Sequence, residues 1–461
     1  MSIQATQRTT ATAPPPRREA EQASAAPTTP DYPLIVIMAT LLGLGLFMVF
    51  SASFTTQGTT FFVRQIAWIA LGVLACGIMA FIPYGVWRQL AVPIMVATIL
   101  VLAALLALGG ERNGAVRHLL GGSLQPSEFA KLAVTIYVAA WVAVRGDKIA
   151  GLQDGLVPFL IIMFGVTSLI VLEHSFSVTM IVLSIGLTIF FVGGGNLKQL
   201  VIVLGLGIPV LIGAMAMSDY PLRRAQEWYA VHFNPAAISP DTLRILALLR
   251  SGGGIGTDPS FWQSKAGVPL LWSDYLFANI GKDLGLPGML LVLVLYGALA
   301  YRGLTIALNT RDRFAALAAM GITVWISVQA AIHIGASLML IPTTGQPLPF
   351  MSYGGSSLLA TMVAAGLLLS ISRSETEKKA IHAHFGFGWR DWRPRLPHLS
   401  SRQRVEKSDG SKSKPSRPVT QAPSLRHASS ISERTLQSVN GTKPVKKRTG
   451  RTSRRRKRLF G

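Results

Sequence analysis

A chain of 461 residues that is half hydrophobic and only 14% charged does not have the composition of a water-soluble protein. Its net charge of +23 points to nucleic-acid binding only until the charge is located: residues 373–461 carry 24 Lys and Arg against 6 Asp and Glu, and the rest of the chain is close to neutral. The single cysteine, Cys76, lies inside an apolar run, which excludes an intramolecular disulfide and fits a buried, inert thiol.

Residues 1–31 are rich in Thr, Ala, Pro and Gln and read as a disordered tail. Arg17 and Arg18 stand too far from the first apolar run for the charged start of a cleavable signal peptide. Ten apolar segments follow, each long enough or nearly long enough to cross a bilayer. They cover roughly 33–50, 62–81, 90–108, 127–144, 156–172, 176–192, 197–217, 275–300, 314–340 and 357–372. The first is expected to stop at Ser51-Ala52-Ser53, with a short uncharged loop from Phe54 to Thr60. Gly285 and Pro287 are expected to kink or interrupt the eighth. The fold class is therefore an all-α polytopic membrane protein, its membrane domain spanning 32–373, with a large loop at 218–273 and a basic tail at 374–461.

Ten spans put both termini on one side, and the bias of Lys and Arg says which. Arg88, Arg145, Lys148, Lys198, Arg302, Arg311, Arg313 and both tails share a face, so the termini are expected in the cytoplasm and the 218–273 loop outside. The tail ending Arg454-Arg455-Arg456-Lys457-Arg458 is read as a disordered segment drawn to anionic lipid rather than to nucleic acid.

Five stretches carry candidate chemistry. In Ser273-Asp274-Tyr275 a carboxylate stands at the mouth of an apolar bundle, as a functional group or as the cap of the next helix. In Gln125-Pro126-Ser127-Glu128-Phe129-Ala130-Lys131, Glu128 and Lys131 share one helix face. They either fix packing as a buried pair or line a polar cavity. Arg64, near the start of the second span, can snorkel to headgroups, while Arg112 and Arg117 sit where cations are scarce and suit a phosphate or pyrophosphate. The glycines of Ser251-Gly252-Gly253-Gly254-Ile255-Gly256 permit close backbone approach but make no phosphate-binding loop, and residues 243–249 suit a short interfacial helix. Pro342 to Ser357, with three prolines and three glycines ahead of its closing serines, predicts a rigid re-entrant loop.

With these residues in view the chain resembles the SEDS family, the FtsW/RodA proteins of bacterial cell-wall synthesis. The likeness rests on the Pro342–Ser357 signature, the Gln-Pro-Ser-Glu-x-x-Lys run, Ser51-Ala52-Ser53, Phe62-Val63-Arg64-Gln65 and Ser273–Ala278. It departs from the family at Gly281-Lys282-Asp283-Leu284-Gly285, where two Glu are common, and at His333, where Asn is common. The resemblance implies a ten-span fold with a catalytic Asp274. It also implies a substrate-binding wall of Arg64, Arg112, Arg117, Gln125, Ser127, Glu128, Lys131, Ser352, Tyr353, Gly354, Gly355 and Ser356. The implied activity is glycan polymerisation from lipid II at the outer face of the plasma membrane. The implied partners are a class B penicillin-binding protein and other membrane proteins of the division or elongation machinery. The resemblance fixes no cofactor; a divalent cation, Mg or Mn, is compatible with this chemistry, although no dedicated metal-ligand cluster is visible. A lipid II transporter and a non-catalytic activator of the transpeptidase remain the alternatives.

Overall fold

The computed structural model describes residues 30–108, 125–216, 219–257, 265, 267–268 and 270–384. Most of both tails, and the loop that carries Arg112 and Arg117, lie outside these residues. Among the described residues thirteen α-helices and no strand are found: α1 Tyr32–Gln57, α2 Thr60–Phe81, α3 Tyr84–Gln89, α4 Ala91–Leu108, α5 Pro126–Arg145, α6 Val157–Leu172, α7 Phe176–Val192, α8 Leu197–Ala216, α9 Asp219–Phe233, α10 Pro240–Gly252, α11 Leu276–Asn309, α12 Arg313–Ser337 and α13 Gly355–His384. Seven helices are long and apolar enough to cross a membrane, and the shorter apolar helices α4, α7 and α8 bring the total to ten.

Burial sorts the helices. α5, α12 and α13 are enclosed, and the buried faces of α5 and α12 carry several Ala. A Cβ on Gly321 would press on Ile189 and Thr135, so α12 lies tight against α5 and α7. In contrast α2 turns Val63, Ile66, Leu74 and Ile78 outward, an apolar surface that only lipid or another apolar partner would cover. Both ends of the chain's membrane domain meet at one end of the bundle. There Asp31, buried at the N-cap of α1, accepts from Arg302 Nε and Nη2 (2.9–3.0 Å) and from Ser372 Oγ (2.8 Å).

Three boundaries differ from the sequence reading. α1 does not stop at Ser51: Ser51, Ala52 and Ser53 are buried inside the helix, which runs on to Gln57. Polar serines mark a helix end only when they face water, and here they face protein. α11 continues to Asn309, nine residues past the expected end. The 218–273 loop holds two helices, α9 and α10, which occupy half of it; the short helix expected at 243–249 is the middle of the longer α10. Amphipathic patterning in both helices was masked by Pro221 and Pro240, which stand in the first turn, where a missing N–H costs nothing.

The eighth span is broken where glycine and proline predicted. Gly285 leaves helical geometry (φ 62°, ψ −157°) two residues before Pro287. Every residue from Leu276 to Asp283 is buried, so the first part of α11 is a half-helix sunk in the protein. The glycine run of α10 explains how it fits. A Cβ on Gly252 would overlap Gly281 O, and a Cβ on Gly285 would overlap the backbone of Gly256, so two backbones touch directly. Thr257 N and Oγ1 both donate to Lys282 O, at 2.9 and 3.0 Å.

Residues 342–354 form the re-entrant loop. Leu348, Phe350, Met351 and Ser352 are buried, and the loop reaches the middle of α1, where a Cβ on Gly45 would collide with the Met351 backbone. Gly45→Ala should therefore cost about 1–3 kcal/mol through overpacking. Gly43→Ala, with nothing within 4 Å of its added methyl, should be silent. Thermal unfolding of the two variants in the same detergent compares them, and equal midpoints would remove the loop from the bundle interior.

Candidate functional site

The site is assembled by the re-entrant loop, because an irregular backbone inside a bundle must have its carbonyls capped by side chains. Trp228 Nε1 and Arg224 Nη1, both from α9, donate to Leu340 O (3.2 Å) and Thr343 O (2.9 Å). Ser177 Oγ of α7 donates to Thr344 O (3.2 Å). From α12, His333 Nδ1 bonds Gln346 O (2.7 Å) and Gln329 Nε2 bonds Pro347 O (2.9 Å). Tyr296 of α11 reaches Pro349 O, and Gln65 Nε2 of α2 reaches Ser352 O at 3.5 Å. A carbonyl only accepts, so the His333 bond fixes the proton on Nδ1.

Asp274 is held against this loop. Ser352 Oγ accepts from Leu348 N (3.0 Å) and donates to Ser273 O (2.8 Å), while Tyr353 N donates to Trp272 O (3.0 Å). Ser337 Oγ of α12 donates to Asp274 O (3.3 Å). Asp274 N closes a tight turn onto Leu270 O at 2.9 Å, with Leu270 in the left-handed region (φ 53°). The helix N-cap position falls on Tyr275, so capping is not the place of Asp274. A Cβ on Gly345 would lie 3.4 Å from Asp274 Oδ2 and 3.3–3.4 Å from the Arg224 guanidinium. Gly345 (φ 67°) is therefore the shared wall between a half-buried carboxylate and a half-buried guanidinium.

Tyr275 completes this corner. Burial first, then the Asp274 carboxylate, push its hydroxyl up to about 12, against the pull of Arg224 and a bond to Thr343. It stays a protonated donor at neutral pH and is not a base.

Of the residues singled out in the sequence, Glu128 and Lys131 do point into the bundle. Both are buried; Lys131 Nζ donates to Glu128 Oε2 (2.8 Å) and Gln329 Oε1 (2.7 Å), and lies 5.0 Å from the centre of the Trp325 ring. Trp325 Nε1 donates to the same Gln329 oxygen at 2.8 Å. Gln329 thus joins the ion pair to the loop. Gln125 N donates to Ser356 Oγ (2.9 Å) and Gln125 Nε2 to Ser127 Oγ (3.1 Å), so these three tie the start of α5 to that of α13. Ser352 and Tyr353 hold the Asp274 segment, Gly354 packs near Pro347, and Gly355 leaves room for Trp68. Arg64 is exposed, one turn beyond Phe61, whose ring stacks on Trp272 at 4.9 Å.

Sequence reasoning assigned no role to Arg224, Gln329, Trp325 or Lys265. What gives Arg224 its meaning is a contact across 119 residues. Among the described residues no group of three or more His, Cys, Asp or Glu is placed to hold a metal ion.

Comparison with known proteins places this architecture. A family model described as "Cell cycle protein", covering FtsW, RodA and SpoVE, matches residues 32–377. The chain belongs to the SEDS family. Stage V sporulation protein E of Bacillus subtilis is 32% identical over 358 residues, covering 75% of this chain and 98% of that protein. A probable peptidoglycan glycosyltransferase FtsW of Trichlorobacter lovleyi is 29% identical, covering 74% and 93%. Two solved structures share the fold. One is described as structural coordination of polymerization and crosslinking by a peptidoglycan synthase complex (TM-score 0.63, 27% identity, 75% of this chain and 98% of that one). The other is the Thermus thermophilus rod shape determining protein RodA (TM-score 0.57, 25% identity, the same coverage). This SEDS protein is accordingly a multi-pass bacterial membrane protein.

The ion pair lends itself to a double-mutant cycle. Lys131→Met or Glu128→Gln alone strands one buried charge and should cost about 3–5 kcal/mol, whereas the double variant should recover most of it. Thermal unfolding of the three variants measures the coupling, and additive losses would show that the pair is not one unit.

Proposed function

We propose that this SEDS protein is a peptidoglycan glycosyltransferase that polymerises lipid II, with Asp274 as general base, at the outer face of the plasma membrane with both termini in the cytoplasm. The observation that carries the reading is the meeting of Asp274 and Arg224 at Gly345, where the half-helix of α11, α9 and the re-entrant loop converge. The name of the Trichlorobacter lovleyi relative supports the same activity, and the family description "Cell cycle protein" and the rod shape determining protein RodA support a place in cell division or elongation.

In this mechanism Asp274 accepts the proton of the sugar 4-hydroxyl of the acceptor lipid II. The oxygen attacks the anomeric carbon of the growing strand's terminal sugar, and undecaprenyl pyrophosphate departs from the opposite face with inversion. One base and a good leaving group are enough for a single displacement, so no second carboxylate nucleophile is needed. Arg224 offers a guanidinium beside the base, suited to phosphate oxygens as pyrophosphate charge develops. Arg64, Arg112 and Arg117 are further candidates for the same charge, while Lys131 already has Glu128 and Gln329 as partners. A divalent cation such as Mg or Mn, if bound, would have Asp274 as its carboxylate together with substrate phosphate oxygens, and would supply charge neutralisation for the departing pyrophosphate.

A class B penicillin-binding protein is the proposed partner. It is supported by the fold likeness to a complex described as coordinating polymerization and crosslinking. The broken α11 would also suit a transporter. Polymerisation of purified lipid II in detergent, with and without a cognate class B partner, separates the readings. Asp274→Asn should lose about 100- to 10,000-fold in rate while membrane insertion and partner binding persist. Arg224→Ala should lose more than Arg224→Lys. Wild-type-like polymer from Asp274→Asn removes the base assignment. Lipid II crossing vesicles without polymer points to a transporter, and a silent protein that still raises partner activity points to an activator.

A further inference from the structure

A second polar cluster lies outside the Asp274 corner and takes no part in the mechanism above. It joins three elements that are distant in sequence. Lys265, in the connection between α10 and α11, is buried. Its Nζ donates to the Asp283 carboxylate at 2.6 Å and to the Ser51 hydroxyl and carbonyl of α1. Ser51 Oγ donates to the same Asp283 oxygen at 2.5 Å, and Lys282 Nζ stands 3.7 Å from the other. The cluster accounts for the serine inside α1, for the acid at position 283 and for a lysine drawn out of water. Buried ionic groups are a weak source of net stability, and their best-attested use is to specify one arrangement of the chain.

The arrangement specified here is the path of the backbone through Asp274. Lys265 and Asp283 each lie nine residues from Asp274, one on either side. Their contact closes a loop whose midpoint is the proposed base, and Ser51 fastens that loop to α1. The other ties on this segment run to the re-entrant loop and α12. Of the described residues between Gly256 and Val268, Thr257 bonds Lys282 O and Gly267 O accepts from Arg244 of α10, while Lys265 reaches across to α1 and fastens the incoming limb of the loop there.

We propose that Lys265, clasped by Asp283 and Ser51, is a positioning residue that holds the loop carrying Asp274 in its reactive place. The proposal rests on the glycosyltransferase reading for its kinetic consequence and on geometry alone for the clasp. The described groups that face Lys265 are Asp283 and Lys282 from α11 and Ser51 from α1. Burial lowers the Lys265 ammonium to about 8, Lys282 adding to the effect and Asp283 opposing it. The charged clasp is therefore present below about pH 8 and lost as pH rises through it.

The test uses the full chain in detergent with its class B partner, with two readouts. The first is steady-state polymerisation of lipid II. Lys265→Met and Asp283→Asn should each lower kcat about 10- to 100-fold with KM changed less than about twofold, the signature of misplaced chemistry rather than lost binding. Asp283→Glu should keep most of the rate. Wild-type kcat should fall as pH rises through about 8, and Lys265→Met should lack that fall. The second readout is amide hydrogen exchange at residues 270–275, which does not depend on activity. Both neutralising variants should lose protection there, while α5 and α13 keep theirs. Unchanged exchange in both variants overturns the clasp. Faster exchange with wild-type kcat leaves the loop untied but overturns the positioning role. A wild-type protein that makes no polymer removes the glycosyltransferase reading, and exchange still decides the clasp.

Discussion

The structure depends on one constraint: an irregular stretch of backbone buried in a membrane bundle must have its polar groups bonded by protein. Residues 342–354 meet it with donors from several directions. α2, α7, α9, α11 and α12 each send a side chain to one or more carbonyls between Leu340 and Ser352. An unbonded peptide carbonyl in such a place costs several kcal/mol, so each donor is under strong constraint. The consequence is geometric. Helices that share one capped loop cannot slide independently, and the groups that flank the loop inherit its rigidity. Asp274 and Arg224 meet at Gly345 because both belong to segments that the loop ties down.

The same constraint gives meaning to charges that look catalytic in the sequence. Glu128 and Lys131 are three residues apart in an apolar helix, the usual mark of a substrate pathway. In the folded protein Lys131 shares Gln329 Oε1 with Trp325, and Gln329 Nε2 caps Pro347 O. The ion pair orients an amide that orients the loop. Lys131 meets protein groups at 2.7–2.8 Å, so the pair supports the loop, while Glu128 Oε1 is buried with no hydrogen-bond partner among the described residues.

What the sequence made legible divides along physical lines. Long apolar runs, the Gly285–Pro287 break and the rigid Pro342–Ser357 segment are local signals, and all three are found where they were expected. Local polarity misled at Ser51 and at the 218–273 region. A serine that serves a buried lysine 214 residues away looks like a helix end, and prolines in first turns look like loop. Arg224, Gln329 and Lys265 were illegible for a further reason: each is defined by partners in other helices. A charged or amide side chain in a single sequence carries no sign of whom it will meet.

The broken helix shows how such non-local contacts set the depth of the site. A continuous α11 of 34 residues would be about 51 Å long, some 20 Å more than the hydrocarbon core. Asp274, at its start, would then stand well clear of the membrane domain. The turn at Gly285 instead lets the 24 residues from Leu286 to Asn309 make the crossing, about 36 Å. The residues before it fold into the protein. Two glycines make that possible, because the backbones of Gly256 and Gly285 meet where no side chain would fit. A half-helix so enclosed must bury Asn279, Lys282 and Asp283, and Lys265 and Ser51 are the groups that meet Asp283 there. Glycine at the break, lysine in the loop and serine in α1 are thus parts of one solution, which brings a carboxylate down to the re-entrant loop without leaving its supporting charges exposed to lipid.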